Sequence, residues 1–132
     1  MSIRISSQSE HNEQVALFQW AALSLNKYPE LTLLHASANG GKRDIVTARK
    51  LKDAGIKAGV PDIFLPVARK GFYGLWIELK VGKNKLTKKQ AFWIESLRMK
   101  GYKAVMCIGW MSARTVIEEY LEKGSKNTCL SN

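Results

Sequence analysis

Long apolar segments and cysteine clusters are both missing from this sequence. No apolar run approaches the roughly 18 residues that a membrane-spanning helix needs. The first eight residues contain one arginine and no long apolar stretch, which is not the pattern of a signal peptide. The two cysteines form no CxxC pair and lack the Cys/His spacing of a zinc site. We therefore expect a protein of a reducing cytoplasm, of a phage or bacterial intracellular type, with no membrane association.

Acidic residues are scarce relative to basic ones. The chain has 21 lysines and arginines against 11 aspartates and glutamates, which gives a net charge of +10. A positive field of this size on a small chain attracts polyanions, nucleic acid most commonly and anionic membrane second. Solubility alone is the alternative explanation of the charge.

The apolar fraction of 45% is sufficient for one hydrophobic core in a chain of 132 residues. The sequence contains no internal repeat, linker or low-complexity block. We therefore predict one domain over residues 9–123, preceded by a flexible lead at 1–8 and followed by a tail at 124–132.

Apolar periodicity and turn residues predict the order of the secondary-structure elements. Strands are predicted at residues 31–36, 63–65, 75–81 and 102–108, the last buried on both faces. Helices are predicted from Ser7 or Ser9 to 26, at 44–53, from Thr87 until Gly101, and at 113–123. The order α-β-(α)-β-β-α-β-α favours an α/β fold with a small mixed sheet flanked by helices.

An acid and a lysine lie two residues apart inside one predicted strand. Side chains at positions i and i+2 of a strand point to the same face, so Trp76, Glu78 and Lys80 share one face. If strands 63–65 and 75–81 pair, Asp62 lies beside Glu78. Two converging carboxylates suit a hard divalent cation, and a nearby ammonium can hold a water or a phosphate. The structural alternative is a cross-strand ion pair on a solvated face.

Short motifs surround these residues in a characteristic order. They are Ser9-Glu10 leading to Gln14, Asn39-Gly40-Gly41, Gly59-Val60-Pro61-Asp62, Gly74-Leu75-Trp76-Ile77-Glu78-Leu79-Lys80, Gln90 with Trp93, and Gly101-Tyr102. Together they resemble the VRR-NUC (virus-type replication-repair nuclease) domain of the PD-(D/E)xK nuclease superfamily. The resemblance spans Ser9 to Leu121, as in a stand-alone domain. Ala38 stands where such domains usually carry a proline, which bears only on the rigidity of that loop.

The resemblance implies a restriction-endonuclease-like fold and metal-dependent hydrolysis of DNA phosphodiester bonds. The implied cofactor is Mg²⁺, for which Mn²⁺ would substitute. The implied substrate is structured DNA of the kind met in DNA repair, with branches, flaps or four-way (Holliday) junctions. Because one type of relative resolves four-way junctions as a homodimer, a homodimer is an expected assembly.

The resemblance also assigns roles to individual residues. Asp62, Glu78 and the carbonyl of Leu79 are expected to bind the metal ion. Lys80 is expected to orient the attacking water or to stabilise charge on the phosphate. An acid at the start of the first helix, Glu10, is expected to join the metal site.

Some of the candidate residues also have a structural explanation. Glu10 follows Ser7 at capping-box spacing, and Glu13 is the alternative acid of this helix. Gln90 follows Thr87 at the same spacing, so it is a helix cap, an active-site contact or both. Asn39 is foremost a turn residue and only a secondary candidate for nucleic-acid contact.

Contacts with the DNA backbone are predicted for a set of lysines. They are Lys50, Lys52, Lys57, Lys83, Lys85, Lys88 and Lys89. No predicted element resembles a base reader, so selectivity for DNA structure rather than sequence is expected. Phe72 and Tyr73, in a predicted turn, are the aromatic candidates for DNA contact. The core is expected to contain Trp20, Trp76, Phe92 and Trp93.

Two other functions are compatible with the charge. One is a non-catalytic basic DNA-binding module with a nuclease-like fold. The other is a structural protein whose basic face binds RNA or an acidic protein. The intact Asp62, Glu78 and Lys80 signature favours the nuclease over both.

Overall fold

A four-stranded mixed sheet forms the centre of the protein, whose computed structural model describes residues 5–37 and 45–123. In spatial order, β1 to β4 are His35–Ala36, Ile63–Leu65, Leu75–Lys80 and Lys103–Ile108. β2 is antiparallel to β1 and β3, whereas β4 is parallel to β3. Helices α1 to α4 are Ile5–Leu23, Ile45–Asp53, Lys88–Met99 and Trp110–Leu121. The predicted mixed α/β fold is confirmed. Within the described ranges, no helix is long and apolar enough to cross a membrane.

Alternation along β3 divides the sheet into a core face and a polar face. Ile77 and Leu79 are fully buried on the core face, where α1 and α4 pack. Each buried side chain of this size contributes about 1.5–3 kcal/mol, so this layer is the main source of stability. Trp76, Glu78 and Lys80 point to the opposite side, which we call the polar face.

Helix α3 begins above the polar face and packs against β4. A capping box sets its start: the Gln90 N–H donates to Thr87 Oγ1, and the Thr87 N–H donates to Gln90 Oε1. Gly59 lies directly against this first turn, and a Cβ on Gly59 would stand 2.8 Å from the carbonyl carbon of Lys89. Only glycine therefore lets the segment before β2 approach the start of α3 so closely.

The first helix begins earlier than the sequence predicts. Because α1 already includes Ile5, Ser7 lies inside the helix and is not its N-cap. The predicted start at Ser7 or Ser9 is wrong, and residues 5–8 of the predicted flexible lead are helical. The capping-box explanation of Glu10 is therefore excluded. Residues 1–4 and the predicted tail at 124–132 lie outside the described residues.

Residues 31–36 do not form the predicted strand. Residues Pro29–Leu33 form a 3₁₀ helix, and only His35 and Ala36 pair as β1. Pro29 occupies the start of this short helix, where its missing N–H is no disadvantage. Leu31 and Leu34 are both buried, a three-residue spacing that suits a tight helical turn rather than a strand.

One aromatic side chain predicted to lie in the core is exposed. Phe92 of α3 is 66% exposed, whereas Trp20, Trp76 and Trp93 are half-buried. The prediction that strand four is buried on both faces is also wrong. β4 is the last strand of the described sheet, and α3 covers it near Ala104, leaving Met106 and Ile108 exposed.

The last helix begins at Trp110, three residues before its predicted start at Ala113. Gly109 precedes it and has no side chain with which to cap the helix. Glu13 of α1 supplies the cap instead, because its Oε1 accepts a hydrogen bond of 2.7 Å from the Trp110 N–H. A carboxylate at this position also interacts favourably with the helix dipole. The contact joins α1 to α4.

Replacing Glu13 by alanine removes this cap and leaves the Trp110 N–H without its partner. We expect the free energy of unfolding to fall by about 1 kcal/mol. Urea denaturation followed by circular dichroism measures the change. The control is Glu95→Ala at an exposed position of α3, expected to change stability by less than about 0.5 kcal/mol. Equal losses in the two variants would show that Glu13 is not a specific cap.

Candidate active site

Asp62 and Glu78 face each other across β2 and β3. The register pairs Ile63 with Ile77, so the same antiparallel pairing places Asp62 opposite Glu78. The two carboxyl groups lie close enough for each to influence the pKa of the other. Asp62 Oδ2 also accepts a hydrogen bond of 2.9 Å from the N–H of Leu79. Two acids that are 16 positions apart in the sequence, 62 and 78, therefore meet at one point.

Burial controls the protonation of this pair. Glu78 is only 2% exposed. Burial is the largest cause that raises the pKa of Glu78 to about 8; the charge of Asp62 contributes to this rise, and Lys80 opposes it. Burial also raises the pKa of Asp62, against the stabilising hydrogen bond from Leu79. Near neutral pH the pair retains a proton unless a cation compensates the two charges.

Two side chains contact the same oxygen of Glu78. Lys80 is buried, and its Nζ lies 3.8 Å from Glu78 Oε2. Gln90 Nε2 donates a hydrogen bond of 3.0 Å to that oxygen. Because Gln90 Oε1 completes the capping box with Thr87, one amide both starts α3 and contacts Glu78. The two explanations of Gln90 are therefore compatible.

The other oxygen of Glu78 tests whether a cation suits this site. Glu78 Oε1 and Trp76 Nε1 are the buried side-chain polar atoms without a hydrogen-bond partner in the described part of the chain. An unpaired buried carboxylate oxygen is costly, and a hard cation would satisfy it. The N–H and C=O of one strand residue point to the same side, so the Leu79 carbonyl is directed towards the Asp62 side. Two carboxylates and a carbonyl suit Mg²⁺, which takes few protein ligands and keeps several waters.

Glu10 lies near the acid pair but does not complete a three-acid cluster. Its charge raises the pKa values of both Asp62 and Glu78. Its own Oε2 accepts a hydrogen bond of 3.1 Å from Asn84 Nδ2. In residues 5–37 and 45–123, no group of three or more His, Cys, Asp or Glu side chains could hold a metal ion. The expected meeting of three acids is thus reduced to two. Glu13, the alternative acid, is engaged at the start of α4.

Sequence reasoning missed the contribution of Asn84. This residue lies in the loop after β3, between Lys83 and Lys85, which the sequence marks only as basic. Asparagine is common in turns, so its presence there carries no signal of a distant contact. Its partner Glu10 is 74 positions earlier, and the contact depends on how α1 packs against the sheet.

The seven candidate lysines are all exposed. They lie on α2 (Lys50, Lys52), before β2 (Lys57), after β3 (Lys83, Lys85) and in the first turn of α3 (Lys88, Lys89). The last four surround the start of α3, which contacts Glu78 through Gln90. Asn39 and Ala38 lie outside the described residues.

Comparisons with known proteins identify the family of this chain. A solved structure described as "VRR_NUC domain protein" is 32% identical in sequence and has a TM-score of 0.72. The alignment covers 85% of this chain and 87% of that chain. A comparison with curated proteins gives no match. The family model described as VRR-NUC domain matches residues 3–110, which is most of the chain. The protein therefore belongs to the VRR-NUC family and is a domain of nuclease type.

Proposed function

We propose that the protein is a Mg²⁺-dependent endonuclease that hydrolyses phosphodiester bonds in branched, flapped or four-way-junction DNA. The observation that carries the proposal is the pairing of half-buried Asp62 with buried Glu78, with buried Lys80 beside them. A structural ion pair would account for Glu78 and Lys80. That ion pair would not explain why Asp62 lies beside Glu78, or why Oε1 of Glu78 has no hydrogen-bond partner.

Each residue at the pair has a definable task. Asp62, Glu78 and the Leu79 carbonyl would hold the ion. When bound, Mg²⁺ supplies a water of lowered pKa and offsets negative charge on the phosphate. Lys80 donates to the attacking water or to a phosphate oxygen and stabilises the added negative charge there. Gln90 holds the Glu78 carboxylate in one orientation through its hydrogen bond.

Glu10 contributes its charge from a greater distance. The hydrogen bond from Asn84 holds its carboxylate on the side of the acid pair. Without an ion, the charge of Glu10 repels the charged forms of Asp62 and Glu78. A bound cation would be attracted by all three carboxylates, so the third negative charge favours cation binding. We propose that Glu10 strengthens Mg²⁺ binding and that Asn84 positions it.

Selectivity for branched DNA is the second part of the proposal. The seven exposed lysines are spread over four segments, an arrangement suited to phosphates rather than to base edges. Cutting both strands of a four-way junction requires two active sites. For that substrate the acting species would be a homodimer, which sedimentation in the presence of the junction can detect.

Cleavage of a DNA panel tests the chemistry. With Mg²⁺ or Mn²⁺ we expect flap or junction substrates to be cut faster than linear duplex, and EDTA to abolish cutting. Glu78→Gln and Lys80→Ala should each lower the cleavage rate roughly 100-fold or more, because each removes a charged group at the reacting phosphate. Rates are read from gel-resolved products.

The matched control for this panel is Glu119→Gln, which changes an exposed glutamate of α4 and should cut like the unaltered protein. Full activity of Lys80→Ala would show that the role given to Lys80 is wrong. Metal-independent binding without any cutting would favour the non-catalytic DNA-binding module. Stronger binding of RNA than of branched DNA would favour the structural alternative.

Thermal unfolding tests the metal site without a nucleic-acid substrate. Saturating Mg²⁺ should raise the Tm by roughly 5 °C, because the ion binds the folded chain and compensates the buried acid pair. Glu78→Gln should lose this shift, whereas Glu119→Gln should keep it. An equal shift in all three proteins would mean that Mg²⁺ binds elsewhere.

Salt dependence tests the lysines that follow β3. Each phosphate contact adds about one unit to the magnitude of the slope of log Kobs, the observed DNA-binding constant, against log salt concentration. The double variant Lys83→Ala/Lys85→Ala should therefore reduce the magnitude of that slope by about 2. Fluorescence anisotropy with labelled DNA in EDTA measures binding. The control, Lys123→Ala, removes an exposed charge beyond α4 and should leave the slope unchanged.

A further inference from the structure

Aromatic rings continue the polar face away from the acid pair. Phe64 follows Asp62 by two residues and Trp76 precedes Glu78 by two, so these rings share the face of the acids. Phe64 and Trp76 are paired across β2 and β3. Their rings stack with 4.0 Å between centroids and 16° between planes. The acids and the rings are thus neighbouring pairs on the polar face, separated in the ladder by the core-facing pair of Ile63 and Ile77.

Tyr102 extends this arrangement towards the far end of β3. Its ring meets Phe64 and Trp76 edge-on, with centroids 6.1 and 6.5 Å away. On its other side it meets Tyr73, again edge-on and at 6.1 Å. We call Phe64, Trp76, Tyr102 and Tyr73 the aromatic row. The first three are half-buried, and Tyr73 is 68% exposed.

The turn before β3 sends its two aromatic residues to opposite sides. Phe72 packs against the core beside Tyr120, so of the two expected DNA contacts only Tyr73 faces solvent. The Tyr73 ring lies directly on Gly101, where a Cβ would stand 2.6 Å from a ring carbon. The Tyr73 N–H donates to the Gly101 carbonyl at 3.0 Å.

Tyr73 is therefore an exposed ring held in place by its neighbours. Gly101 has a φ of +97°, so a larger residue would be strained there and would also displace the ring. A ring that is already ordered loses little conformational entropy when a ligand stacks on it. Every nucleobase has a flat face, so stacking on such a ring tolerates any sequence.

The position of Tyr73 relative to the acid pair indicates what would stack on it. Five residues of extended chain separate Tyr73 from Glu78, which corresponds to about 16 Å. A nucleic-acid strand whose phosphodiester bond lies at the acid pair would pass Tyr73 a few nucleotides away. The net charge of +10 complements such a strand. A base held inside a duplex has no free face, so the occupant must be unpaired.

We propose that Tyr73 stacks on an unpaired nucleobase of the strand whose phosphodiester bond lies at Asp62 and Glu78. Tyr73 then selects substrates that carry a single-stranded segment next to the bond to be cut. This rests on the proposed nuclease function, but stacking is measured without cleavage.

Binding of a fluorescein-labelled oligothymidylate in EDTA tests the proposal by anisotropy. Tyr73→Ala should weaken binding roughly 5- to 100-fold, the effect expected for one stacked base, whereas Tyr73→Phe should stay within about twofold because it keeps the ring. Phe92→Ala is the matched control: Phe92 is equally exposed, at 66%, but lies outside the aromatic row, so its loss should leave binding unchanged.

Three results would overturn the inference. They are unchanged binding by Tyr73→Ala, an equal loss in Phe92→Ala, and a loss confined to blunt duplex DNA. Photocrosslinking of the unaltered protein to an oligonucleotide containing 5-iodouracil gives a second measurement that needs no variant. An adduct on Tyr73 supports stacking, and adducts only at other residues contradict it. Stacking without any cutting of DNA would overturn the proposed function alone.

Discussion

A buried glutamate beside a half-buried aspartate, Glu78 and Asp62, is the constraint on which the rest of the site depends. Burial raises the pKa values of both Asp62 and Glu78, and the charge of Asp62 adds to the shift at Glu78, so the pair is unfavourable in its charged form. The Leu79 N–H, the Gln90 amide and the Lys80 ammonium each offset part of that cost. One oxygen of Glu78 remains without a partner. The negative charge of the acid pair is therefore only partly offset by the groups around it.

The same contacts that stabilise the acids also determine where α3 begins. Gln90 uses one end of its amide for the capping box and the other for Glu78. Gly59 lets the segment leading to Asp62 lie against this first turn. The start of the helix and the orientation of the acid pair are therefore one structural unit, and loosening either would disturb the other. Rigid support of this kind is what a site needs to hold charged groups at defined separations.

The local patterns of the sequence predict the centre of the molecule well and its periphery poorly. β2, β3 and the start of α3 fall within about one residue of their predicted bounds, because alternation, turns and capping are properties of neighbouring residues. One pairing register then suffices to bring Asp62 to Glu78. The contacts of Glu13 with Trp110 and of Asn84 with Glu10 join distant segments and leave no local signal. The exposure of Met106 and Ile108 depends on what covers the sheet edge, which apolar composition alone does not report.

One continuous segment runs from the residue before β2 to the first turn of α3. It contains Asp62, Glu78, Lys80 and Gln90. The hydrogen bonds of Leu79 with Asp62, of Thr87 with Gln90 and of Gln90 with Glu78 all join residues of that segment. The acid pair and these neighbours thus belong to one segment of the chain, and α1 and α4 pack against the other face of its sheet. Because these hydrogen bonds use no residue of α1 or α4, substitutions on the outer surfaces of those helices can change the surroundings of the acid pair without changing its own contacts.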